Sequence, residues 1–262
     1  MGALVKHLSQ TLPITVIVFF RMLVALSVLL PWILRYRLAP LTTPRRGLHA
    51  VRSATGFLSL MCLVYSLSRL DLADAVAISF TTPLWMIVTA AVLLGEASGP
   101  RRYLATAIGF GGVLVIVRPD MDPDPAMLAA LAGAFLGSLS LACVKKLSRT
   151  DSALTITFYF SFIGTLISIV PVIFSWVRPT PVEYLLLVAT GVFGVAGLMC
   201  AARAYSLADA TVVSPVDFTR LPFAAVIGYV VFHESPDIWT LSGAAIIMAS
   251  VLYIGRRAKA GA

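Results

Sequence analysis

The chain alternates between long apolar stretches and short polar ones. Nine apolar blocks, at 12–34, 47–67, 74–95, 102–117, 126–146, 153–176, 183–205, 209–232 and 238–255, take up most of its 262 residues. A helix rising 1.5 Å per residue needs about 20 such residues to cross a hydrocarbon core of ~30 Å. Barrel strands would instead alternate apolar and polar side chains over ~10 residues, and these blocks do not. The pattern predicts nine transmembrane helices, with 102–117 the shortest and dependent on flanking residues. No connection is long enough to hold a separate soluble domain.

Composition points the same way. Hydrophobic residues make up 59% and charged residues 12% of the chain, where soluble domains carry about 25% charged residues. The net charge of +8 would suggest a nucleic-acid partner in a soluble protein; here its distribution explains it. Of the 20 Lys and Arg, 13 lie at alternate helix ends, among them Arg45, Arg46, Arg52, Lys145, Lys146 and Lys259. Four lie at the opposite ends (Lys6, Arg69, Arg118, Arg178) and three within spans (Arg21, Arg203, Arg220). This bias places the C-terminus in the cytoplasm and the acidic loop Asp120–Asp124 outside. Cys62, Cys143 and Cys200 all fall within spans and read as small apolar packing residues rather than disulfides. No cleavable signal peptide is evident at the N-terminus.

The two halves of the chain resemble each other. At an offset of 138, Phe80, Thr81, Val92 and Glu96 fall on Phe218, Thr219, Val230 and Glu234. At an offset of 140, Thr15, Phe20, Leu26, Pro31 and Ile33 fall on Thr155, Phe160, Leu166, Pro171 and Ile173, and Tyr65-Ser66-Leu67 on Tyr205-Ser206-Leu207. Five spans per copy is an odd number, so the second copy is inverted, as in many secondary transporters. Val5-Lys6-His7-Leu8-Ser9 also matches Val144-Lys145-Lys146-Leu147-Ser148, the end of the span at 126–146. The first copy should therefore hold a helix ending near Leu8, of which eight residues, about 12 Å, are present. The expectation is an all-α bundle of two inverted five-helix repeats, 1–118 and 126–257, with nine full spans and an N-terminal helix stub. A misassigned start codon or a lost first helix would account for the stub.

At this point the sequence resembles the ten-helix EamA-type transporters of the drug/metabolite transporter superfamily. The resemblance rests on Phe19-Phe20-Arg21, the run from Pro83 to Glu96, and its counterpart Arg220-Leu221-Pro222 to Glu234 with Pro236-Asp237 and Gly243. It implies movement of amino acids, vitamins, nucleoside-type cofactors or drugs across a bacterial inner membrane without ATP hydrolysis. The missing first helix lines the central cavity in that family, so the alternative is a transport-incompetent scaffold or a channel. The expected partners are a small-molecule substrate, the lipid bilayer and at most a second copy as a homodimer, with no nucleic acid.

Charged residues inside a bilayer cost ~2.5–3.5 kcal/mol each on insertion scales and mark functional positions. Asp217 and Arg220 stand three residues apart, hence on one helical face, flanked by Pro215 and Pro222. Either they form a substrate or proton site, with Arg220 taking a carboxylate or phosphate, or they tie the helix as an ion pair. Thr81-Thr82-Pro83, the mirror position, could offer hydroxyls and a freed carbonyl, or be a structural kink. Arg21 is read as structural, capping carbonyls or pairing with a carboxylate, and Arg203 as snorkelling. Tyr65, Trp85, Tyr159 and Tyr205 could stack on a planar substrate or simply pack. Gly133, Gly137, Gly191, Gly194 and Gly197 look like close helix contacts. His7, His49 and His233 lack metal-ligand spacing, and neither a nucleophile elbow nor a P-loop is present. An enzyme, a metal site and a cofactor are therefore not expected.

Overall fold

A computed structural model describes residues 1–35, 43–94, 100–117, 124–207, 220–234 and 237–260, without the side chains of 94, 102, 201–207, 220–222 and 254–260. The helices are α1 (Gly2–Leu8), α2 (Ile14–Arg35), α3 (Arg46–Arg69), α4 (Leu72–Ser79), α5 (Thr82–Leu94), α6 (Pro100–Val117), α7 (Pro125–Leu147), α8 (Ala153–Phe174), α9 (Pro181–Leu207), α10 (Arg220–Phe232) and α11 (Ile238–Ala260). Among the described residues, six stretches are long and apolar enough to cross a membrane: α2, α3, α7, α8, Leu72–Leu93 and Pro181–Cys200. Three shorter apolar helices, Tyr103–Val117, Phe223–Phe232 and Ile238–Tyr253, accompany them. The outer face is apolar too, with Phe174, Val92 and Leu185 at 86%, 78% and 72% exposure. Water would not tolerate that much apolar surface. Lipid is its solvent, and the protein is an all-helical integral membrane bundle.

Local chemistry sets the helix boundaries. Asp124 accepts from the Ala126 amide at 2.7 Å, with Pro125 at the first helical position of α7, where its missing N–H costs nothing. Ser152 caps α8 through the Thr155 amide. Thr180 and Glu183 exchange hydrogen bonds across the first turn of α9, a reciprocal cap that satisfies two otherwise orphaned donors. The apolar block 74–95 is not one continuous helix; α4 stops at Ser79 and α5 starts at Thr82. Pro83 lacks the N–H that would bond to the Ser79 carbonyl, and the Thr82 hydroxyl takes that carbonyl instead, at 2.8 Å. The Thr81 hydroxyl likewise donates to the Ile78 carbonyl at 2.8 Å.

The most extensive helix contacts are α3 with α7 and α6 with α11, followed by α2 with α8 and α9. α3 also packs on α8, and α4 on α10. Glycines set the closest approaches, since within lipid small residues let backbones meet. A Cβ on Gly133 would lie 2.9 Å from Cys62 Cβ, and one on Gly191 2.5 Å from Val24 Cβ. Among the described residues Gly197 has nothing within 4 Å, so its expected close contact is not found there. One seam as tight was not anticipated. A Cβ on Gly243 would lie 2.5 Å from the Gly112 carbonyl oxygen, a backbone atom that cannot turn aside. Gly243→Ala is therefore expected to lower thermal stability by about 1–3 kcal/mol, the usual cost of overpacking. Gly111→Ala, with nothing within 4 Å, should leave it unchanged or raised by up to ~1 kcal/mol. Melting midpoints of the two purified variants check this pair.

Candidate functional site

Two apolar clusters fill the interior. The larger includes Val5, Ile17, Met22, Phe57, Val64, Leu84 and Ile247; the smaller includes Ala25, Leu29, Ile33, Phe158 and Val195. On α2 they meet between Met22 and Ala25, beside Arg21. The neighbouring Met22 touches Gly164, midway along α8, and the Arg21 guanidinium lies against Gly194 of α9, 3.3 Å from where a Cβ would stand. Its Nη1 is buried without a hydrogen-bond partner. Among the described residues Arg21 pairs with no carboxylate and caps no carbonyl. The small side of α9 leaves room for a guanidinium at mid-depth rather than tying it down.

Trp85 lies one turn into α5. Its ring packs edge-on against Phe110 of α6 and Phe135 of α7, at centroid distances of 4.6 and 5.1 Å. The indole N–H is buried and unpartnered. One turn earlier, Thr82 faces Gly137 of α7. The hydroxyls of Thr81 and Thr82 bond to the last carbonyls of α4, so the break at this point is already satisfied internally. Tyr65 packs against the larger cluster. Tyr159 lies away from Trp85, stacked on His49 near the start of α3. Thr82 and Trp85 thus lie one turn apart on α5, and Tyr159 sits with His49 instead. Asp217 and Pro215 lie outside the described residues. Arg220 and Pro222 fall in α10, and Arg203 and Tyr205 in α9, with their side chains outside the description.

A polar network closes one end of the bundle. Lys6 of α1 pairs with Glu234, just beyond α10, and donates to the Leu70 carbonyl at 2.6 Å. Glu234 in turn accepts from the Leu72 amide at 2.9 Å, capping α4 where Asp71 does not. The approach depends on His233, whose φ of 57° is a left-handed turn that brings the Glu234 amide back to the Gly228 carbonyl at 3.0 Å. Asp74 accepts from the Thr240 hydroxyl of α11 at 2.7 Å. Burial, and then the Glu234 charge, push the Asp71 carboxyl above its ordinary range, with Lys6 opposing. The pairing joins residues 228 positions apart, so no local pattern announces it. At the opposite end, Arg52, expected among the cations at the headgroups, is buried between α3, α7 and α8 at 4% exposure.

Helices of this length, with buried unpartnered donors at mid-depth and polar groups at both ends, match a known family over nearly the whole chain. The profile of the EamA-like transporter family matches residues 1–118 and 124–256. The chain belongs to the EamA-like transporter family. Among its EamA relatives, the S-adenosylmethionine uptake transporter of Rickettsia bellii is 31% identical over 254 residues, covering 95% of this chain and 86% of that one. The pseudopaline exporter CntI of Pseudomonas aeruginosa is 33% identical over 266 residues, covering 99% and 92%. The riboflavin transporter of Brucella anthropi is 30% identical over 254 residues, covering 94% and 89%. A crystal structure superposes with a TM-score of 0.69 at 18% identity, covering 98% of this chain and 92% of the other, which supports the fold. This EamA protein is a membrane transporter of small metabolites, of the drug/metabolite type, rather than an enzyme.

Proposed function

We propose that the protein is a secondary carrier that moves its metabolite by alternating access, without ATP hydrolysis, around a cavity between two inverted repeats, 1–118 and 126–257. The observation that carries this reading is the exchange symmetry of the helix contacts. α2 packs on α8 and α9, and its counterpart α8 packs on α2 and α3. α3 packs on α7, and its counterpart α9 packs on α1, the counterpart of α7. Such pairing lets one repeat rock against the other about a fixed centre. The centre proposed here is the mid-depth level of Arg21, Thr82 and Trp85. Asp217 and Arg220 are the charged substrate contacts, with Thr81, Tyr65, Tyr159 and Tyr205 as further lining and Pro83, Pro215 and Pro222 as kinks. We place the protein in a bacterial inner membrane with the C-terminus and the Arg52 end in the cytoplasm, which a topology reporter fused after Lys259 tests.

The named relatives differ in cargo and direction, so their names support a small metabolite without choosing one. Proteoliposomes test the carrier reading with S-adenosylmethionine, riboflavin and a mixed amino-acid pool as probes. Saturable uptake of at least one, accelerated by unlabelled solute inside, is the expected result. Uptake that rises linearly with concentration and shows no counterflow would indicate a channel, and no uptake of any probe a scaffold.

A further inference from the structure

The Arg52 end of the bundle holds polar groups that the proposed mid-depth site does not use. Arg52 sits two turns into α3, its guanidinium carbon 4.0 Å from the centre of the Phe160 ring of α8. Nε and Nη1 are buried without a hydrogen-bond partner. His49, three residues earlier on the same helical face, is fully buried and stacks on Tyr159 with centroids 4.5 Å apart. Neither of its ring nitrogens has a hydrogen-bond partner; the Asp151 carboxylate stands 3.8 Å from Nε2. From α7, the Ser140 hydroxyl donates to the Arg52 carbonyl, and the Cys143 thiol lies within electrostatic reach of the guanidinium.

A guanidinium keeps its charge under essentially all conditions. The Phe160 ring offsets part of the desolvation through one face, but a ring cannot satisfy the donors at the edge. Among the described residues no carboxylate lies within 4.0 Å of the Arg52 nitrogens. A purely structural arginine would be matched by an acid or by carbonyls, because an unpaired buried charge is strongly destabilising. Here the acid stands by His49, and Arg52 is left with donors of the geometry that takes carboxylate or phosphate oxygens.

We infer that Arg52, with His49 beside it, is a second, anion-recognising station of the transport path, which binds a carboxylate or phosphate group of the substrate at the end where α3 begins. The inference rests on the carrier reading. It narrows the cargo to metabolites that bear an acid group, and it adds a contact about 9 Å of helix away from the start of α3. The arginine then holds its acid partner only in transit, which accounts for its unmet donors in the bundle as packed here.

Binding can be measured without flux, by the melting midpoint of the full chain in phosphatidylcholine nanodiscs. The probe is inorganic phosphate at about 50 mM, above the millimolar dissociation constants that a few charge-assisted hydrogen bonds give. It is compared with chloride at equal ionic strength. We expect phosphate to raise the midpoint of the native chain and to slow alkylation of Cys143, mapped by mass spectrometry, by roughly tenfold if the dissociation constant is near 5 mM. Phosphate also salts proteins into their compact state generally, so the decisive comparison is Arg52→Met, which should lose the specific shift and the protection. Arg52→Met should melt no lower than the native chain in chloride, since it removes an unpaired charge and keeps the packing volume. Equal phosphate shifts in both chains, or an Arg52→Met chain that melts well below native, would overturn the site in favour of a packing role. Protection that follows added phosphatidylglycerol and is not displaced by soluble phosphate would assign the anion to a lipid headgroup and overturn its place in the path. Loss of carrier kinetics with the phosphate shift intact would strike the carrier reading alone.

Discussion

Glu234→Ala is expected to lower the melting midpoint much further than Glu234→Gln does. The Glu234 side chain makes two separable contacts, an ion pair to Lys6 and an acceptor contact to the Leu72 amide at 2.9 Å. Both charged side chains are largely withdrawn from solvent, at 12% and 14% exposure. Removing one member of a buried pair costs about 3–5 kcal/mol, because the other charge is left unmatched. Glutamine removes the charge but keeps an oxygen for Leu72. Alanine removes both and leaves the first amide of α4 without its cap, a further ~1–3 kcal/mol. Lys6→Met should also destabilise, since Glu234 would lose its ion-pair partner beside Asp71 and Asp74. The double change Lys6→Met with Glu234→Gln should recover part of the loss, as coupled neighbours do. Melting curves of the four chains decide the matter. Equal midpoints for the glutamine and alanine variants would show that the Leu72 contact contributes nothing, and unchanged midpoints that the pair is not formed.

Much of the fold could be read from the sequence because lipid imposes a strict rule on it. Every backbone group inside the hydrocarbon must be satisfied within its own segment, so apolar block length translates directly into helices. The repeat placed a helix end at Leu8, where α1 ends. The Thr81-Thr82-Pro83 run was legible as an interruption, since proline removes one specific bond and a neighbouring hydroxyl can replace it. What failed were contacts set by packing between distant segments. Arg52 looked like a headgroup cation because it lies only six residues into α3. Its burial comes from α7 and α8 closing over it, a matter of helix rotation that a single sequence does not state. The Gly112–Gly243 seam escaped for the same reason, whereas Gly197 was taken for a contact on spacing alone. Arg21 was given a carboxylate or carbonyl partner because an unpaired charge in lipid is costly. Among the described residues its guanidinium lies against Gly194 with Nη1 unpartnered instead.

The double substitution Asp217→Asn with Arg220→Gln is expected to fold as the native chain does and to lose transport. Both residues fall well inside the apolar block at 209–232, too deep for the arginine to reach the headgroups without strain. Each side chain must therefore find a partner, water or substrate in the interior. If they serve only each other, either single change strands a buried charge and lowers folded yield, and the double change restores yield and flux together. If they hold substrate, the double change restores yield while flux falls roughly ten- to hundredfold, the worth of one or two hydrogen bonds to charged groups. Arg220→Lys separates the cases again. An ammonium maintains an ion pair but cannot reproduce a planar two-pronged contact to carboxylate or phosphate, so a chain that folds well and transports poorly is the expected outcome. Flux is read in the same proteoliposomes that establish carrier kinetics, normalised to folded protein by gel filtration. Native flux in the double variant would leave Asp217 and Arg220 as a structural tie and move the search for the charged contact to Arg21, whose Nη1 is buried without a partner.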